Sequence, residues 1–349
     1  MVDARTPSRH TLGTVAIAAA VTVGLLLLWF ARDVLLLAFA GVLLAIFFRR
    51  LATWVSGHTP LSSSWGLAVV VVAFFGSFVS AFTLRGPAIA SEVRSFKAQI
   101  PKAAESLKGR LAEYEWGRSA LEEVPSPRAL LPDSPDVLSR ATGIVSSTAS
   151  ALGTFAIIVF LGIVIAATPG AYVNGLLALV PARAVGRGHE VIERVYETLW
   201  WWLVGRIVSM TFIGVVTGIG LWLLGVPLAF PLALLAALLS FIPNLGPILS
   251  AAPAVLLALA DDPRRALWVV LLYSGVQIIE SFVLAPVIDR KTIYLPPALT
   301  IVAQLVLARF SGILGVALAT PLTAVLVVLV TMLYVQGVLG RRDVVLPER

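Results

Sequence analysis

One apolar segment carries a stripe of polar side chains that could bind a solute or an ion. At helical spacing, one face of this segment holds Tyr273, Ser274, Gln277, Glu280 and Ser281. Glu280 lies roughly 22 Å along a helix from Arg265, well inside a hydrocarbon layer. A carboxylate at that depth costs roughly 2.5–3.5 kcal/mol, so it is expected to face protein or water. The stripe indicates either a transport path, in which Glu280 accepts a proton or cation, or hydrogen bonds that join two helices.

A second candidate feature is the uncharged segment 228–260, which contains residues that interrupt helices. These residues are Pro243, Asn244, Gly246, Pro247 and Pro253. Since about 20 apolar residues cross a bilayer core, so long a run is typical of membrane-embedded sequence. Proline removes a backbone donor and clashes with the preceding turn, so the helix is predicted to break near 243–247. Broken backbone at membrane depth needs cover from protein or a water-filled cavity, which favours a binding or transport site here.

The last apolar segment, 297–337, is also long and also contains residues that interrupt helices. It carries the polar residues Gln304 and Arg309, and Gly312, Gly315 and Pro321 interrupt it. Arg309 either marks the end of a half-helix at the membrane surface or contacts an anion. We therefore predict a substrate and ion pathway formed by Pro243, Asn244, Gly246, Pro247, Tyr273, Gln277, Glu280, Gln304, Arg309 and Gly312.

The composition predicts an all-α, polytopic membrane protein. Mean hydropathy is +0.96 and only 13% of residues are charged, against about 25% in soluble domains. Apolar segments lie near 12–31, 34–48, 65–84, 150–168, 203–224, 228–260, 266–288 and 297–337. We expect about eight transmembrane segments. Two of them, 228–260 and 297–337, are expected to be broken spans or re-entrant hairpins, and the sequence leaves that choice open.

The first two segments are separated only by Arg32-Asp33, which predicts a tight helical hairpin. Residues 1–84 would then hold transmembrane helices 1–3. Residues 85–149 would form an extracytoplasmic helical insertion, whose apolar stripe packs against the membrane domain or against a second copy. Residues 150–349 would form the C-terminal transmembrane domain, with a transport core at 203–337.

The charge pattern predicts orientation and location. The formal net charge is +7, and the basic residues flank the apolar segments, as the positive-inside rule requires. Both termini are therefore expected in the cytoplasm, in a multi-pass protein of the bacterial inner or plasma membrane. The lipid bilayer accounts for the basic residues, so no nucleic-acid partner is expected. Trp200, Trp201 and Trp202 are interpreted as an interfacial aromatic belt, and Gly214 and Gly218 as a close helix-packing face.

The sequence lacks the residue patterns that several kinds of catalytic and metal site require. There is no cysteine, no Walker loop of the Gly-x-x-x-x-Gly-Lys type and no His-Glu-x-x-His helix. The three histidines, His10, His58 and His189, lie in charged flanks or loops. We therefore expect no enzyme activity, no metal site and no cofactor.

Spaced motifs lie within 205–325: Gly214-x-x-x-Gly218-x-Gly220, Phe241-Ile-Pro-Asn-Leu-Gly-Pro247, and Gln277 with Glu280 and Pro286. Together they resemble the autoinducer-2 exporter family of permeases. The resemblance implies eight spans, a large insertion after the third, homo-oligomers that include pentamers, and secondary export. Members are associated with autoinducer-2 efflux and, in some branches, with exchange of sodium or lithium for protons. Two positions depart from the pattern: Asn244 stands where an aromatic residue is frequent, and Arg206 where an uncharged polar residue is expected.

Three functions remain open on the sequence. The first is a secondary exporter of a small polar metabolite, autoinducer-2-like, which works by alternating access coupled to an ion gradient. The second is a Na⁺(Li⁺)/H⁺ antiporter that uses Glu280. The third is a structural or accessory membrane protein that transports nothing. Substrate, coupling ion and oligomeric state are not decided by the sequence.

Overall fold

The computed structural model describes residues 9–112, 137–289 and 295–341, and every regular element among them is helical. Two long helices come first, α1 (Arg9–His58) and α2 (Ser63–Ala112). They are followed by α3 (Val137–Ala167), α4 (Pro169–Ala178), α5 (Val185–Leu223), α6 (Ala229–Leu239), α7 (Leu245–Asp261), α8 (Pro263–Ile279), α9 (Ala285–Asp289) and α10 (Pro297–Leu329). π-helical turns continue α8 at Glu280–Leu284 and α10 at Val330–Val338. The predicted all-α class is confirmed for the described residues.

The number of membrane spans differs from the prediction. Among the described residues, four helices are long and apolar enough to cross a membrane: Phe30–His58, Ala182–Leu223, Pro263–Ile288 and Pro297–Val338. A fifth is obtained if Leu152–Ala167 and Pro169–Ala178, which meet at 82°, count as one bent span. Further apolar helices are shorter, at Ser63–Ser77, Ala229–Leu239 and Leu245–Asp261. Eight spans are therefore not confirmed.

The hairpin predicted at Arg32-Asp33 is wrong. A single helix, α1, runs through both residues from Arg9 to His58. Neither residue breaks a helix, because each costs only a few tenths of a kcal/mol relative to alanine. In the same way, α2 runs without a helix end across the predicted boundary at residue 84, so the third apolar segment and the helix of the insertion are continuous. Of the rest of the insertion, residues 113–136 lie outside the described residues and residues 137–149 belong to α3.

The segment 228–260 is interrupted, as predicted. It forms α6 and α7, which are separated by residues 240–244. Helix α6 has 11 residues, so it is roughly 16 Å long and cannot cross a 30 Å layer by itself. The two helices pack against one another, and Leu232 and Leu257 belong to the same buried core cluster. This arrangement is typical of a helical pair that folds back on itself.

Two further interruptions shape the fold. In α10, Ser311 and Gly312 leave helical geometry, and Gly312 has φ +58° and ψ −141°, a conformation that glycine adopts at little cost. This interruption lies in the predicted segment 297–337. The bend between α3 and α4 was not predicted; Pro169 begins α4 directly after Thr168, because proline fits the first position of a helix.

Helix α5 is at the centre of the packing. It contacts α1, α6, α8 and α10. Its glycines allow the closest approach: a Cβ added at Gly214 would lie 2.8 Å from Ala237 Cβ, and one at Gly218 would lie 3.0 Å from Ala233 Cβ. The predicted role of these glycines in close helix packing is confirmed. On its other side, Leu199 and Trp202 of α5 pack with Leu36 of α1 and Leu318 of α10.

Candidate functional site

A cavity of about 300 Å³ lies where α5, the break between α6 and α7, the end of α8 and both parts of α10 meet. Its wall carries hydroxyl and amide groups, together with the carboxylate of Glu280 and the guanidinium of Arg206. Each of these elements contributes through an irregular turn or through residues spaced one helical turn apart. The cavity is therefore a product of the helix interruptions.

The break between α6 and α7 supplies Ser240, Pro243, Asn244 and Pro247 to the wall. Asn244 stands just before α7 with φ +67°, in the left-handed region that non-glycine residues rarely adopt. The chain turns so tightly here that a Cβ added at Gly246 would lie 2.0 Å from the carbonyl oxygen of Leu239. Only glycine fits that position without a backbone shift. The local sequence therefore determines the shape of this wall.

The end of α8 supplies the acidic side of the cavity through Gln277, Glu280 and Ser281. The Nε2 atom of Gln277 donates hydrogen bonds to Oε2 of Glu280 at 2.8 Å and to Oγ of Ser281 at 3.2 Å. Glu280 is also the first residue of the π-helical turn Glu280–Leu284. Such turns are rare and occur frequently at functional sites. Gln277, one turn earlier on the same helix, thus holds the Glu280 carboxylate at the cavity wall.

Helix α5 lines the cavity through Thr198, Trp202 and Arg206, which follow one another at four-residue steps. This spacing places them on one face of the helix. Arg206 Nη1 donates to the carbonyl oxygen of Ser240 at 3.4 Å, which links α5 to the break. The Trp202 ring packs edge-on against Phe241, with 5.6 Å between centroids.

Trp202 does not belong to an interfacial belt, so that interpretation is wrong for this residue. Its side chain is 7% exposed and lies in the core between α1, α5 and α10. Trp200, by contrast, is covered by the Arg50 guanidinium at 5.8 Å. The three tryptophans are consecutive, so they point to different sides of α5 and meet different surroundings.

Helix α10 closes the cavity from two places. Pro297 and Thr300 come from its first turns, while Thr320 and Ala324 come from beyond the interruption at Gly312. Thr300 Oγ1 is already used, because it donates to the Pro297 carbonyl at 2.8 Å. Both halves of the interrupted helix therefore contribute to one cavity.

Several buried polar atoms at this site have no hydrogen-bond partner among the described residues. They are Trp202 Nε1 and Thr320 Oγ1 in the wall, and Gln304 Oε1 behind it. Buried polar groups in folded proteins nearly always have a partner. Of these atoms, Trp202 Nε1 can only donate, Gln304 Oε1 can only accept and Thr320 Oγ1 can do either.

The structure brings together part of the predicted pathway. Five predicted residues line the cavity: Pro243, Asn244, Pro247, Gln277 and Glu280. Gly246 and Gln304 lie behind the wall and hold the break in place, since Gln304 Nε2 donates to the Pro243 carbonyl at 3.0 Å.

Three predicted residues lie elsewhere. Tyr273 is 9% exposed in the apolar core formed by α5 to α8, where its hydroxyl has no partner among the described residues. Arg309 and Gly312 are exposed and do not line the cavity. Their roles in transport stay predictions, but they would act from outside this cavity.

Sequence reasoning did not place Thr198, Trp202, Arg206, Ser240, Thr300 or Thr320 in the site. The four-residue spacing of Thr198, Trp202 and Arg206 was the available signal. For metal binding, the described residues hold no group of three His, Cys, Asp or Glu side chains.

Comparison with known proteins now identifies the family. The model described as "AI-2E family transporter" matches residues 18–334. The chain belongs to the AI-2E transporter family. It is 25% identical over 303 residues to "Putative transport protein YrrI" of Bacillus subtilis, which covers 83% of this chain and 85% of that protein. It is 23% identical over 302 residues to "Putative transport protein YhhT" of Escherichia coli, which covers 84% and 83%.

A shorter match is closer in sequence. Over 147 residues the chain is 31% identical to "Putative transport protein YueF" of Bacillus subtilis, which covers 42% of this chain and 40% of that protein. The family and the apolar helices together make this AI-2E transporter a multi-pass membrane transport protein. The resemblance inferred from the motifs is thereby confirmed.

Proposed function

We propose that this AI-2E transporter exports a small polar metabolite across the bacterial inner or plasma membrane, by alternating access coupled to an ion gradient. The observation that carries the proposal is the polar cavity at two interrupted helical segments, with Glu280 in its wall. Interrupted helices that surround a polar site are the usual construction of secondary transporters. The family resemblance suggests autoinducer-2-like molecules as the first solutes to test.

The size and lining of the cavity support a small polar solute. Its volume of about 300 Å³ is at the lower end of the range for small-molecule sites, roughly 300–1,000 Å³. Hydroxyl and amide groups from Ser240, Asn244, Thr198 and Thr320 are spread around the wall. A metabolite rich in oxygen or nitrogen atoms would replace the water that these groups otherwise bind.

The position of Glu280 in the cavity wall favours the coupling of solute transport to an ion. Arg206 is the other charged group among the described lining residues, so these two charges set the electrostatic balance of the cavity. Uptake of a proton or cation at Glu280 would change that balance by one unit. Because linkage is reciprocal, the ion and the solute would then alter each other's affinity.

The test is solute flux in proteoliposomes that contain the purified full-length chain, with and without an imposed pH gradient. We expect counterflow of a labelled solute of the autoinducer-2 type, faster with a gradient than without. Empty liposomes are the control. Absence of flux for autoinducer-2-type solutes, amino acids and polyols alike would contradict the proposal.

A Na⁺(Li⁺)/H⁺ antiporter is the second candidate. The observation in its favour is that Glu280 and Ser281 both line the cavity with side-chain oxygens, which accept hydrogen bonds from the same Gln277 Nε2, since hard cations prefer oxygen ligands. Arg206 in the same cavity opposes an isolated cation, which is why we favour a solute. Proton movement driven by sodium or lithium in liposomes free of organic solute would support the antiporter.

A structural or accessory role predicts no flux in either assay. Homo-oligomers, including pentamers, stay a prediction from the family resemblance.

A further inference from the structure

A further cavity, of about 400 Å³, lies between α1, α2, α3, α5 and α10. The residues that line it are all alanine, leucine, isoleucine or phenylalanine, and we call it the apolar cavity. We propose that the apolar cavity holds one acyl chain of a membrane phospholipid. The chain enters between α3 and α5 and reaches Phe241 in the break between α6 and α7. The inference does not depend on which solute the protein transports.

The mouth of the apolar cavity lies between α3 and α5. Phe155 of α3 and Ile207 of α5 are its most exposed lining residues, at 42% and 40%. Both helices pack against α1, but they share no extensive packing contact with each other among the described residues. The inner wall is closed, since Leu43 of α1 and Leu318 of α10 are only 5% and 4% exposed. The apolar cavity is therefore a cleft that is open on one side.

The mouth opens at the depth of the hydrocarbon layer. Leu44, which lines the apolar cavity, stands at the middle of the membrane-crossing stretch Phe30–His58. Further along the two helices that form the mouth, Phe160 of α3 and Val215 of α5 are also exposed. Exposed apolar side chains in spans of a multi-pass membrane protein contact lipid tails. The mouth is therefore continuous with the lipid-facing surface of the protein.

The chemistry of the wall excludes water and favours a lipid tail. A buried water molecule needs about two to four polar partners, whereas the described lining residues offer only hydrocarbon side chains. An empty cleft would leave those side chains without dispersion contacts on one side. A lipid tail is as apolar as leucine, is flexible, and is present in excess at the mouth. It therefore fills the cleft without exposing a polar group to an apolar wall.

A tail in the apolar cavity would contact a residue of the break that shapes the polar cavity. Phe241 lines the apolar cavity and belongs to the break between α6 and α7. Its ring packs edge-on against Trp202, with 5.6 Å between centroids, and Trp202 lines the polar cavity. Through this pair of rings, the lipid tail would support the packing of the break.

The experiment uses the purified full-length protein in nanodiscs of dioleoylphosphatidylcholine that contain a small fraction of the same lipid with a diazirine at the end of one acyl chain. On irradiation the diazirine loses N₂ and gives a carbene, which inserts into nearby C–H bonds. Peptide mass spectrometry then locates the modified residues. Surrounding lipid labels exposed residues such as Val208, whereas labelling of the buried Leu43 and Leu318 requires a chain inside the cleft. We expect both buried residues to be labelled.

Two variants of neighbouring residues test the route into the cleft. Ile207→Trp places a large ring at the mouth and should abolish the labelling of Leu43 and Leu318. Val208→Trp is the matched control, because Val208 is as exposed as Ile207 but is not among the residues that line the apolar cavity. It adds the same ring to the same helix and should leave the labelling unchanged.

The labelling pattern of the wild type decides the proposal even if a variant does not fold. If Val208 is labelled while Leu43 and Leu318 are not, no tail enters the cleft and the proposal is overturned. A side chain of a neighbouring copy seated in the mouth would give that result and would also protect Ile207. If Leu43 and Leu318 are labelled equally in Ile207→Trp and Val208→Trp, the tail enters by another path, which contradicts the mouth between α3 and α5.

Discussion

Gln304 Nε2 donates a hydrogen bond to the carbonyl oxygen of Pro243 at 3.0 Å, and this bond joins the two interrupted segments of the protein. Gln304 lies in the first half of α10 and is 1% exposed, while Pro243 lies in the break between α6 and α7. A proline in a break leaves carbonyls around it without their helical donors. The amide of Gln304 supplies one of these donors from a different helix, so the shape of the break depends on α10.

The first prediction tests this bond with Gln304→Glu. A carboxylate cannot donate, so an acceptor would face the Pro243 carbonyl in a buried place. We expect a loss of about 1–3 kcal/mol in the free energy of unfolding, and the loss should grow as the pH rises and the new carboxyl ionises. Gln336→Glu is the matched control, because Gln336 Oε1 accepts from Arg187 Nη2 at 2.5 Å and a carboxylate serves there as well. Equal melting curves for the two variants would show that the bond to Pro243 contributes nothing.

The second prediction concerns the tight turn at Gly246. Gly246→Ala places a Cβ 2.0 Å from the backbone oxygen of Leu239, where no side-chain rotation relieves the clash. We expect a loss of about 1–3 kcal/mol in unfolding free energy, together with reduced solute flux. Gly275→Ala on α8 is the control, since a Cβ there would meet no atom within 4 Å and alanine favours a helix by about 1 kcal/mol. If Gly246→Ala is as stable and active as Gly275→Ala, the turn has a different geometry in the working protein.

The helix interruptions could be predicted from the sequence because their causes are local. Proline removes a donor at its own position, and glycine permits a backbone that other residues avoid, so Pro243 and Gly312 mark the breaks without knowledge of the fold. The hairpin predicted at Arg32-Asp33 was wrong because a pair of charged residues does not by itself end a helix. Helix α1 runs through that pair. Charge affects where a helix lies relative to the membrane, whereas backbone geometry determines whether it ends.

The cavity itself could not be predicted in the same way. The part of its wall that α5 forms depends on which face of that helix meets the break, where Trp202 packs against Phe241, about 40 residues later in the chain. A tryptophan next to two others is typical of an interfacial belt when only the sequence is considered. Tyr273 shows the reverse case: it shares a helical face with Gln277 in the sequence pattern, yet it lies in the apolar core.

The third prediction concerns orientation. The basic flanks place Arg49, Arg50 and Arg341 in the cytoplasm and residues 85–149, which include the C-terminal part of α2, outside, if the positive-inside rule holds. Because the chain has no cysteine, single cysteines can be introduced without background, at Ser106 and at Val344 in the C-terminal tail. An impermeant thiol reagent added to intact cells should label the Ser106→Cys variant and spare Val344→Cys. Both should react after the cells are opened. The reverse pattern would invert the topology.

The last prediction tests Glu280 as the coupling group. Glu280→Gln preserves the size of the side chain and an oxygen that can accept from Gln277, whose Nε2 lies 2.8 Å from Glu280 Oε2, but it removes the group that can gain or lose a proton. If Glu280 couples transport to an ion gradient, the response of flux to an imposed pH gradient should disappear, whether or not downhill movement survives. If the carboxyl only packs, flux should stay near normal with the same gradient response. Glu193→Gln, an exposed carboxyl on α5, controls for the loss of one negative charge. Flux is measured against imposed pH gradients at equal reconstituted amounts, and identical responses in wild type and Glu280→Gln would leave Glu280 as a structural hydrogen-bond acceptor.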